Sequence, residues 1–280
     1  MRLLNSLVTP AIGRFVLSYG LLGLAPVAAE TTTLAISGAD AEGIVGAKFD
    51  SVQSGMLNSS GQAIFLADLL PGSGGVTSAD DQAVWLFDGA TTTLVAREGV
   101  GGVPEVAGAN YQTFRDTAID DSGHLVLRAD LQVGVGGITS SNQHGLWRYA
   151  ATDSVIARSG SGDVPGLPGT SFSQFPIFLY VAEDGRVGFN GALALGGGVS
   201  STNDKGLWSY EGGTGLLIAR EDTSTVPGVA DAAFNIFGAP AVNDNDQIAL
   251  LGALKLVNNV TSENNIGVWR YTGTSGELRC

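Results

Sequence analysis

Four segments centred on tryptophan decide the fold: Ala83-Val84-Trp85-Leu86-Phe87, Gly145-Leu146-Trp147-Arg148-Tyr149, Gly206-Leu207-Trp208-Ser209-Tyr210 and Gly267-Val268-Trp269-Arg270-Tyr271. They hold all four tryptophans of the chain, which lie 62, 61 and 61 residues apart. Small, aliphatic, tryptophan, variable and aromatic positions alternate with a period of two, which is typical of a β-strand. Each segment is therefore predicted to be the same strand of a repeated unit.

Three further strands recur along the chain. The strand before it has an apolar face with Ala or Gly third and Leu fourth: Ala63-Phe65-Ala67-Leu69, Leu125-Leu127-Ala129-Leu131, Val187-Phe189-Gly191-Leu193 and Ile248-Leu250-Gly252-Leu254. The strand after it reads Leu94-Val95-Ala96-Arg97, Val155-Ile156-Ala157-Arg158 and Leu217-Ile218-Ala219-Arg220. A fourth begins near Phe114, Phe175 and Phe237. Four strands in each repeat are the content of one propeller blade.

The sequence thus predicts an all-β protein, a β-propeller of about four blades with four strands each. Three repeats lie near residues 58–119, 120–181 and 182–242, and we expect the fourth blade to combine 243–280 with 31–57. Pairing of the N- and C-terminal halves would close the ring and remove exposed sheet edges. Alternatively, the chain is a fragment of a longer propeller, because residues 276–280 begin a third strand of their own.

The first 29 residues have the order of a secretory signal: Arg2, an apolar run from Phe15 to Leu24, and small residues up to Ala29. The apolar run is short for a membrane span, so a retained membrane helix is the weaker alternative. We expect cleavage after Ala29, a single domain over 30–280, and a periplasmic or extracellular location without membrane insertion. Cys280 is the only cysteine, so no intramolecular disulfide is possible.

Composition and charge exclude several classes of protein. The chain has 41 glycines and 44% hydrophobic residues, which disfavours both a helical bundle and a disordered chain. Its 27 acidic and 14 basic residues give a net charge of −13, which repels phosphate backbones and anionic lipid head groups. Nucleic acid is therefore not an expected partner.

The turns before the first strands read Asn58-Ser59-Ser60-Gly61, Asp120-Asp121-Ser122-Gly123, Ala182-Glu183-Asp184-Gly185 and Asn243-Asp244-Asn245-Asp246. With the apolar residues that follow, this resembles a bacterial exported tandem-repeat family marked by Asn-x-x-Gly-x-x-Ala-Phe, the choice-of-anchor repeat proteins. Members of that family carry varied surface-anchoring tails, and the resemblance implies export and repeats. It implies no known activity.

No signature of a catalytic site, metal site or cofactor site is present, and none of the three is expected. His124 and His144 both lie in the second repeat and have no histidine counterpart elsewhere. Solvated histidines in turns are the default interpretation, against a shared metal site or a Ser/His/Asp triad. The Asx-rich turns at 120–123 and 243–246 offer oxygen ligands for calcium, but Asn and Asp are also typical of tight turns.

A long loop joins the first and second strands of every repeat and is the candidate ligand site. Residues five positions before each tryptophan lie in it: Asp80, Asn142, Asn203 and Asn264. They are predicted either to cap their own loops or to bind an extracellular glycan or protein. Arg97, Arg158 and Arg220 also recur once per repeat, and they are expected to pair with an acid or a carbonyl rather than to form an anion-binding ring.

We therefore expect an exported, non-catalytic propeller that acts as a binding or scaffold module. The first alternative is a propeller hydrolase with a site in the central channel. An enzyme should break the repeat with one odd cluster of acids and bases, and only the two histidines do so. The second alternative is a fragment of a larger surface-anchored propeller.

Overall fold

The computed structural model of the protein describes residues 31–175, 179–222, 225–245, 247–257, 259–273 and 275–278. In these residues the regular structure is β-strand throughout, and the unit from Leu34 onward is compact. The described residues include no helix with the length and hydropathy that a membrane crossing requires. The signal predicted for residues 1–29 lies outside the described residues.

The strands form four antiparallel sheets in chain order. Sheet 1 contains β1 (Phe49–Leu57), β2 (Ala63–Leu69), β3 (Gln82–Phe87) and β4 (Thr92–Arg97). Sheet 2 contains β5 (Tyr111–Ile119), β6 (Leu125–Leu131), β7 (His144–Tyr149) and β8 (Ser154–Arg158). Sheet 3 contains β9 (Gly162–Val164), β10 (Leu167–Gln174), β11 (Leu179–Val181), β12 (Val187–Leu193), β13 (Lys205–Glu211) and β14 (Thr214–Arg220). Sheet 4 contains β15 (Phe234–Val242), β16 (Gln247–Leu254), β17 (Ile266–Thr272) and β18 (Ser275–Leu278).

Each sheet packs face to face on the next. We call the face that carries the tryptophan the leading face and the opposite face the trailing face. Between sheets 1 and 2, Trp147 and Leu127 of the leading face form one core with Ile64 and Val84 of the trailing face. Equivalent cores lie between sheets 2 and 3 and between sheets 3 and 4. All four tryptophans are at most 1% exposed, and burial of such a side chain stabilises the fold by about 3 kcal/mol.

The innermost strands define a propeller-like arrangement. Contacts run from β1 to β5, from β5 to β11, and from β11 to β15, so the opening strands of successive sheets lie next to one another. The later strands of each sheet lie progressively further from this line, because every sheet is a meander. The prediction of an all-β, propeller-like fold is thus confirmed for the described residues.

The strand pairing differs from the predicted shared blade. β1 pairs with β2, and β18 pairs with β17, so the strands of sheet 4 all come from residues 234–278. A hairpin with a short connection closes at low entropic cost, which favours β18 over a distant N-terminal strand. Residues 34–47 instead pack on the leading face of sheet 1, where the Trp85 indole donates to the Glu42 carbonyl at 2.9 Å.

Ring closure between sheets 4 and 1 is not observed in the described part of the chain. On the trailing face of sheet 4, Leu251 and Val268 are 52% and 48% exposed. The equivalent residues of sheet 1, Leu66 and Val84, are 5% and 0% exposed because sheet 2 covers them.

Candidate functional site

The Asx residues of the long loops stabilise those loops. Each side-chain oxygen accepts a hydrogen bond of 2.7–2.8 Å from the backbone N–H three residues earlier. The pairs are Asp80 with Thr77, Asn142 with Thr139, Asn203 with Ser200, and Asn264 with Thr261. Binding of a ligand by these four residues stays a prediction.

The recurrent arginines hold the same loops. Arg97, Arg158 and Arg220 donate to the backbone carbonyls of Asp80, Asn142 and Asn203 at 2.8, 3.0 and 2.7 Å. Arg97 also donates to the Asp80 carboxylate at 2.6 Å. Burial raises the pKa of Asp80, but hydrogen bonds from Thr77 and the Arg97 charge outweigh burial and leave the pKa below its usual value.

The two histidines lie at opposite ends of sheet 2. His124 directly precedes β6, whereas His144 pairs across the sheet with Asp130, near the far end of β6. Six residues of extended strand separate the two ends by about 20 Å. They therefore do not share a metal site or a triad, and each histidine contacts a different aspartate.

His144 belongs to a charged cluster on the trailing face of sheet 2. Its Nδ1 lies 2.7 Å from Oδ1 of Asp130, and Arg115 donates to the other oxygen, Oδ2, from Nε at 3.0 Å and from Nη2 at 2.7 Å. Arg115 lies where the register of β5 shifts between Phe114 and Asp116. Such a bulge redirects a side chain, and here it brings a guanidinium from the innermost strand to the carboxylate.

Hydrogen bonds orient the His144 ring. Asp130 is ionised, because the bonds from His144 and Arg115 outweigh burial and lower the pKa of the carboxyl below its usual value. An ionised carboxylate accepts a hydrogen bond from Nδ1, and the Gln143 amide lies 3.3 Å from Nε2. The backbone is held as well, since the His144 N–H donates to Oγ of Ser159 at 3.1 Å and the Ser159 N–H donates to the His144 carbonyl at 2.8 Å.

This cluster lies in the wall of a cavity of about 320 Å³ between sheets 2 and 3. The charged and polar groups that line it are Arg115, Arg128, Asp130, His144 and Gln174. The side chain of His144 is 28% exposed, and that of Asp130 is 12% exposed. The site therefore combines a protected carboxylate, a partly accessible imidazole and two guanidinium groups.

The other sheets do not reproduce this chemistry at the equivalent cross-strand pair. The pair Asp130–His144 corresponds to Asp68–Gln82, Ala192–Lys205 and Ala253–Ile266. The sequence analysis named His144 but missed Arg115, Arg128 and Asp130. Alignment of the four repeats could have identified Arg128 and Asp130, because sheet 2 alone has two charged residues on the trailing face of its second strand.

His124 forms a second cluster whose geometry is shared with other repeats. Its Nδ1 lies 2.8 Å from Oδ2 of Asp120, and Arg148 donates to the same oxygen at 3.3 Å. In sheets 1 and 4 this place is taken by amide pairs, Asn58–Gln62 at 2.8 Å and Asn243–Gln247 at 3.0 Å. The cluster is therefore a charged version of a turn contact that the fold uses repeatedly.

Metal binding finds no support in the geometry. Among the residues that the structure describes, no three or more His, Cys, Asp or Glu side chains are placed to hold an ion. The two Asx-rich turns contact neighbouring turns instead. For example, Asp121 accepts hydrogen bonds from the backbone and hydroxyl of Ser59, and Asp184 donates its N–H to Oδ1 of Asp244 at 3.1 Å.

The chain belongs to a family of unknown function, DUF7453, whose model matches residues 22–280. No curated protein sequence matches it.

Several solved structures are similar in fold. An α-L-arabinofuranosidase from Fusarium graminearum, solved with an iminosugar inhibitor, matches at 9% identity and a TM-score of 0.34, over 79% of this chain and 61% of that one. A luciferin-regenerating enzyme matches at 10% identity and 0.31, over 84% and 76%. A gluconolactonase from Xanthomonas campestris matches at 11% and 0.30, over 82% and 77%.

These matches correct one expectation of the sequence analysis. The chain was expected to be a non-catalytic binding or scaffold module, whereas the structures that it resembles are enzymes. It spans 61% to 66% of the length of the arabinofuranosidases.

Proposed function

We propose that this protein is a hydrolase that cleaves an ester bond of a small molecule in the cavity between sheets 2 and 3. One observation carries the proposal. Asp130 holds the His144 imidazole and the Arg115 guanidinium together at the wall of a 320 Å³ cavity, and the equivalent pairs of the other sheets lack this set. Cavities near this size accept small molecules, about 300 Å³ being the lower end of the usual range.

The proposed reaction uses water as the nucleophile and His144 as the general base. Nε2 takes a proton from water while the water oxygen attacks the carbonyl carbon of the ester, and the resulting imidazolium returns that proton to the leaving alkoxide. Asp130 stays ionised, keeps the proton on Nδ1 and stabilises the imidazolium. The Arg115 guanidinium stabilises the negative charge that develops on the carbonyl oxygen.

The set of side chains favours ester hydrolysis over glycoside hydrolysis. Glycosidases generally need two carboxyl groups on either side of the bond, one as acid and one as base or nucleophile. Asp130 is the single carboxyl among the described residues that line this cavity, and its two oxygens are already bound to His144 and Arg115.

The test compares two histidine variants that copy residues the fold already carries. His144→Gln introduces the residue found at the equivalent position of sheet 1, Gln82, and His124→Gln introduces the residue found at Gln62 and Gln247. We expect the wild type to hydrolyse p-nitrophenyl acetate or butyrate. His144→Gln should lower kcat/KM by about 100-fold or more, which is the contribution of a general base.

The control variant His124→Gln should stay within about threefold of the wild type, since sheets 1 and 4 carry glutamine at this position of the turn. Circular dichroism melting of both variants confirms that they are folded. Equal losses in the two variants, or no hydrolysis of either ester by the wild type, would refute the proposal.

We also propose that the protein is exported and loses residues 1–29. This rests on the order of charged, apolar and small residues in that segment. N-terminal sequencing of the protein expressed with its full leader should begin at Glu30. An intact Met1 on the mature protein would contradict export by this route.

A further inference from the structure

Arg128 carries a charge that no equivalent position carries. It lies in β6 opposite Leu146, and the matching cross-strand pairs are Leu66–Val84, Asn190–Leu207 and Leu251–Val268. The fold therefore accepts an uncharged residue here in every other sheet. Sheet 2 alone has a positive charge at this position, and there it lines the cavity. The chain as a whole is acidic, with a net charge of −13.

Among the described residues no carboxylate forms a salt bridge with Arg128, and Asp116, which lies opposite it on β5, accepts from the backbone N–H groups of Thr117 and Leu179. The nearby Asp130 is bound by Arg115 and His144 through both oxygens. Arg128 itself donates from Nη1 to the backbone carbonyl of Phe175 at 2.9 Å, which is a neutral acceptor. Its Nε is buried and has no hydrogen-bond partner in the part of the chain that the structure describes.

Partial burial of a guanidinium beside a neutral acceptor is costly, and an anion in the cavity would offset that cost. A carboxylate is the natural match, because two parallel N–H groups of a guanidinium bind its two oxygens. The side chains of Arg128 and Asp130 point to the same face of β6, with Cα atoms about 7 Å apart. A small substrate can thus reach Arg128 with one end and His144 with the other.

We propose that Arg128 binds a carboxylate group of the substrate, so that the enzyme acts on small esters that carry a negative charge three or four bonds from the ester carbonyl. This inference rests on the proposed hydrolase function. It assigns Arg128 to recognition of the substrate, whereas His144 and Asp130 carry the chemistry.

The experiment compares two esters of similar size in the wild type and in Arg128→Leu. Mono-p-nitrophenyl succinate carries the carboxylate, and p-nitrophenyl pentanoate is its neutral counterpart. We expect the wild type to favour the succinate by at least tenfold in kcat/KM, mainly through KM. Arg128→Leu should remove this preference, and Arg128→Lys should keep part of it.

Arg148→Leu is the matched control, because Leu86 occupies the equivalent position of sheet 1 and Arg148 does not line this cavity. It should keep the preference for the succinate. Equal rates on both esters in the wild type would overturn the inference and leave the hydrolase proposal standing.

A binding measurement separates the two proposals when neither ester is cleaved. Succinamate, a carboxylate that lacks the ester, and the neutral succinamide are titrated into the wild type and Arg128→Leu by saturation-transfer NMR. Binding of succinamate that is lost in Arg128→Leu would support the anion site while refuting the hydrolase. No difference between succinamate and succinamide in the wild type would refute the anion site.

Discussion

Sheets 1 and 2 have the same backbone plan but different trailing faces. In both, an aspartate lies near the end of the second strand on the trailing face. Asp68 of sheet 1 accepts hydrogen bonds from neutral donors, the Ser51 hydroxyl at 2.8 Å and the Gln53 amide at 2.6 Å. Asp130 of sheet 2 is bound by a guanidinium and an imidazole.

The residues paired with these two aspartates across the sheet also differ, since one is neutral and the other is a histidine. Gln82 of sheet 1 reaches the next sheet, where its Oε1 accepts from the N–H of Phe114 at 2.6 Å and from the Thr113 hydroxyl at 3.0 Å. His144 of sheet 2 turns to its own carboxylate instead and lines a cavity. Sheets 1 and 2 thus hold a carboxylate at the same place, and its partners decide whether that carboxylate is structural or chemical.

The largest expected effect on the free energy of unfolding comes from exchanging Leu66 of sheet 1 and Arg128 of sheet 2, which lie in the middle of the two trailing faces. Leu66→Arg places an unpaired charge in a core where Leu66 is 5% exposed, and it should lower the free energy of unfolding by about 3 kcal/mol or more. Arg128→Leu should instead raise it by about 1 kcal/mol, because a partly buried charge without a salt bridge is removed. Urea unfolding measures both, and destabilisation by Arg128→Leu equal to that by Leu66→Arg would break the comparison.

A smaller effect is expected at Glu98, which follows the last strand of sheet 1 where sheet 2 has Ser159. Burial, and then the negative charges of Asp81 and Asp80, raise the pKa of Glu98 to about 7. The folded state therefore keeps a proton that the unfolded state releases above its pKa near 4.5, so the wild type loses stability as the pH rises from 4.5 through 7.

Glu98→Gln removes this penalty. Its unfolding free energy should match that of the wild type near pH 4 and exceed it by about 1 kcal/mol at pH 8, a figure reduced for solvent screening of a half-exposed group. Chemical denaturation at the two pH values gives the difference. A Glu98→Gln gain that is the same at pH 4 and pH 8 would show that the carboxyl does not titrate as described.

The repeats made the fold predictable, because strand alternation around Trp85, Trp147, Trp208 and Trp269 is a local property of the sequence. Sheet membership was harder to predict, since β18 competes with an N-terminal strand for one place and the outcome depends on tertiary packing. The shared blade was expected because the two ends of the chain together supply one full set of strands.

The candidate site was only partly predictable. His144 stood out as a residue outside the repeat, but its carboxylate partner lies 14 residues away, across a long loop. Arg115 reaches Asp130 only through a register shift in β5, which the periodic pattern does not reveal. The same pattern did identify Asp80 and Asn142, whose loop-capping contacts are local in sequence.

The most direct test of the central claim removes the charge from each of the two equivalent aspartates. Asp130→Asn and Asp68→Asn are compared for ester hydrolysis, with thermal melting to confirm the fold. The account predicts that Asp130→Asn lowers kcat/KM by about 100-fold or more, because the His144 ring loses its orienting carboxylate, while Asp68→Asn stays within about threefold of the wild type. Similar activity of the two folded variants would contradict the account.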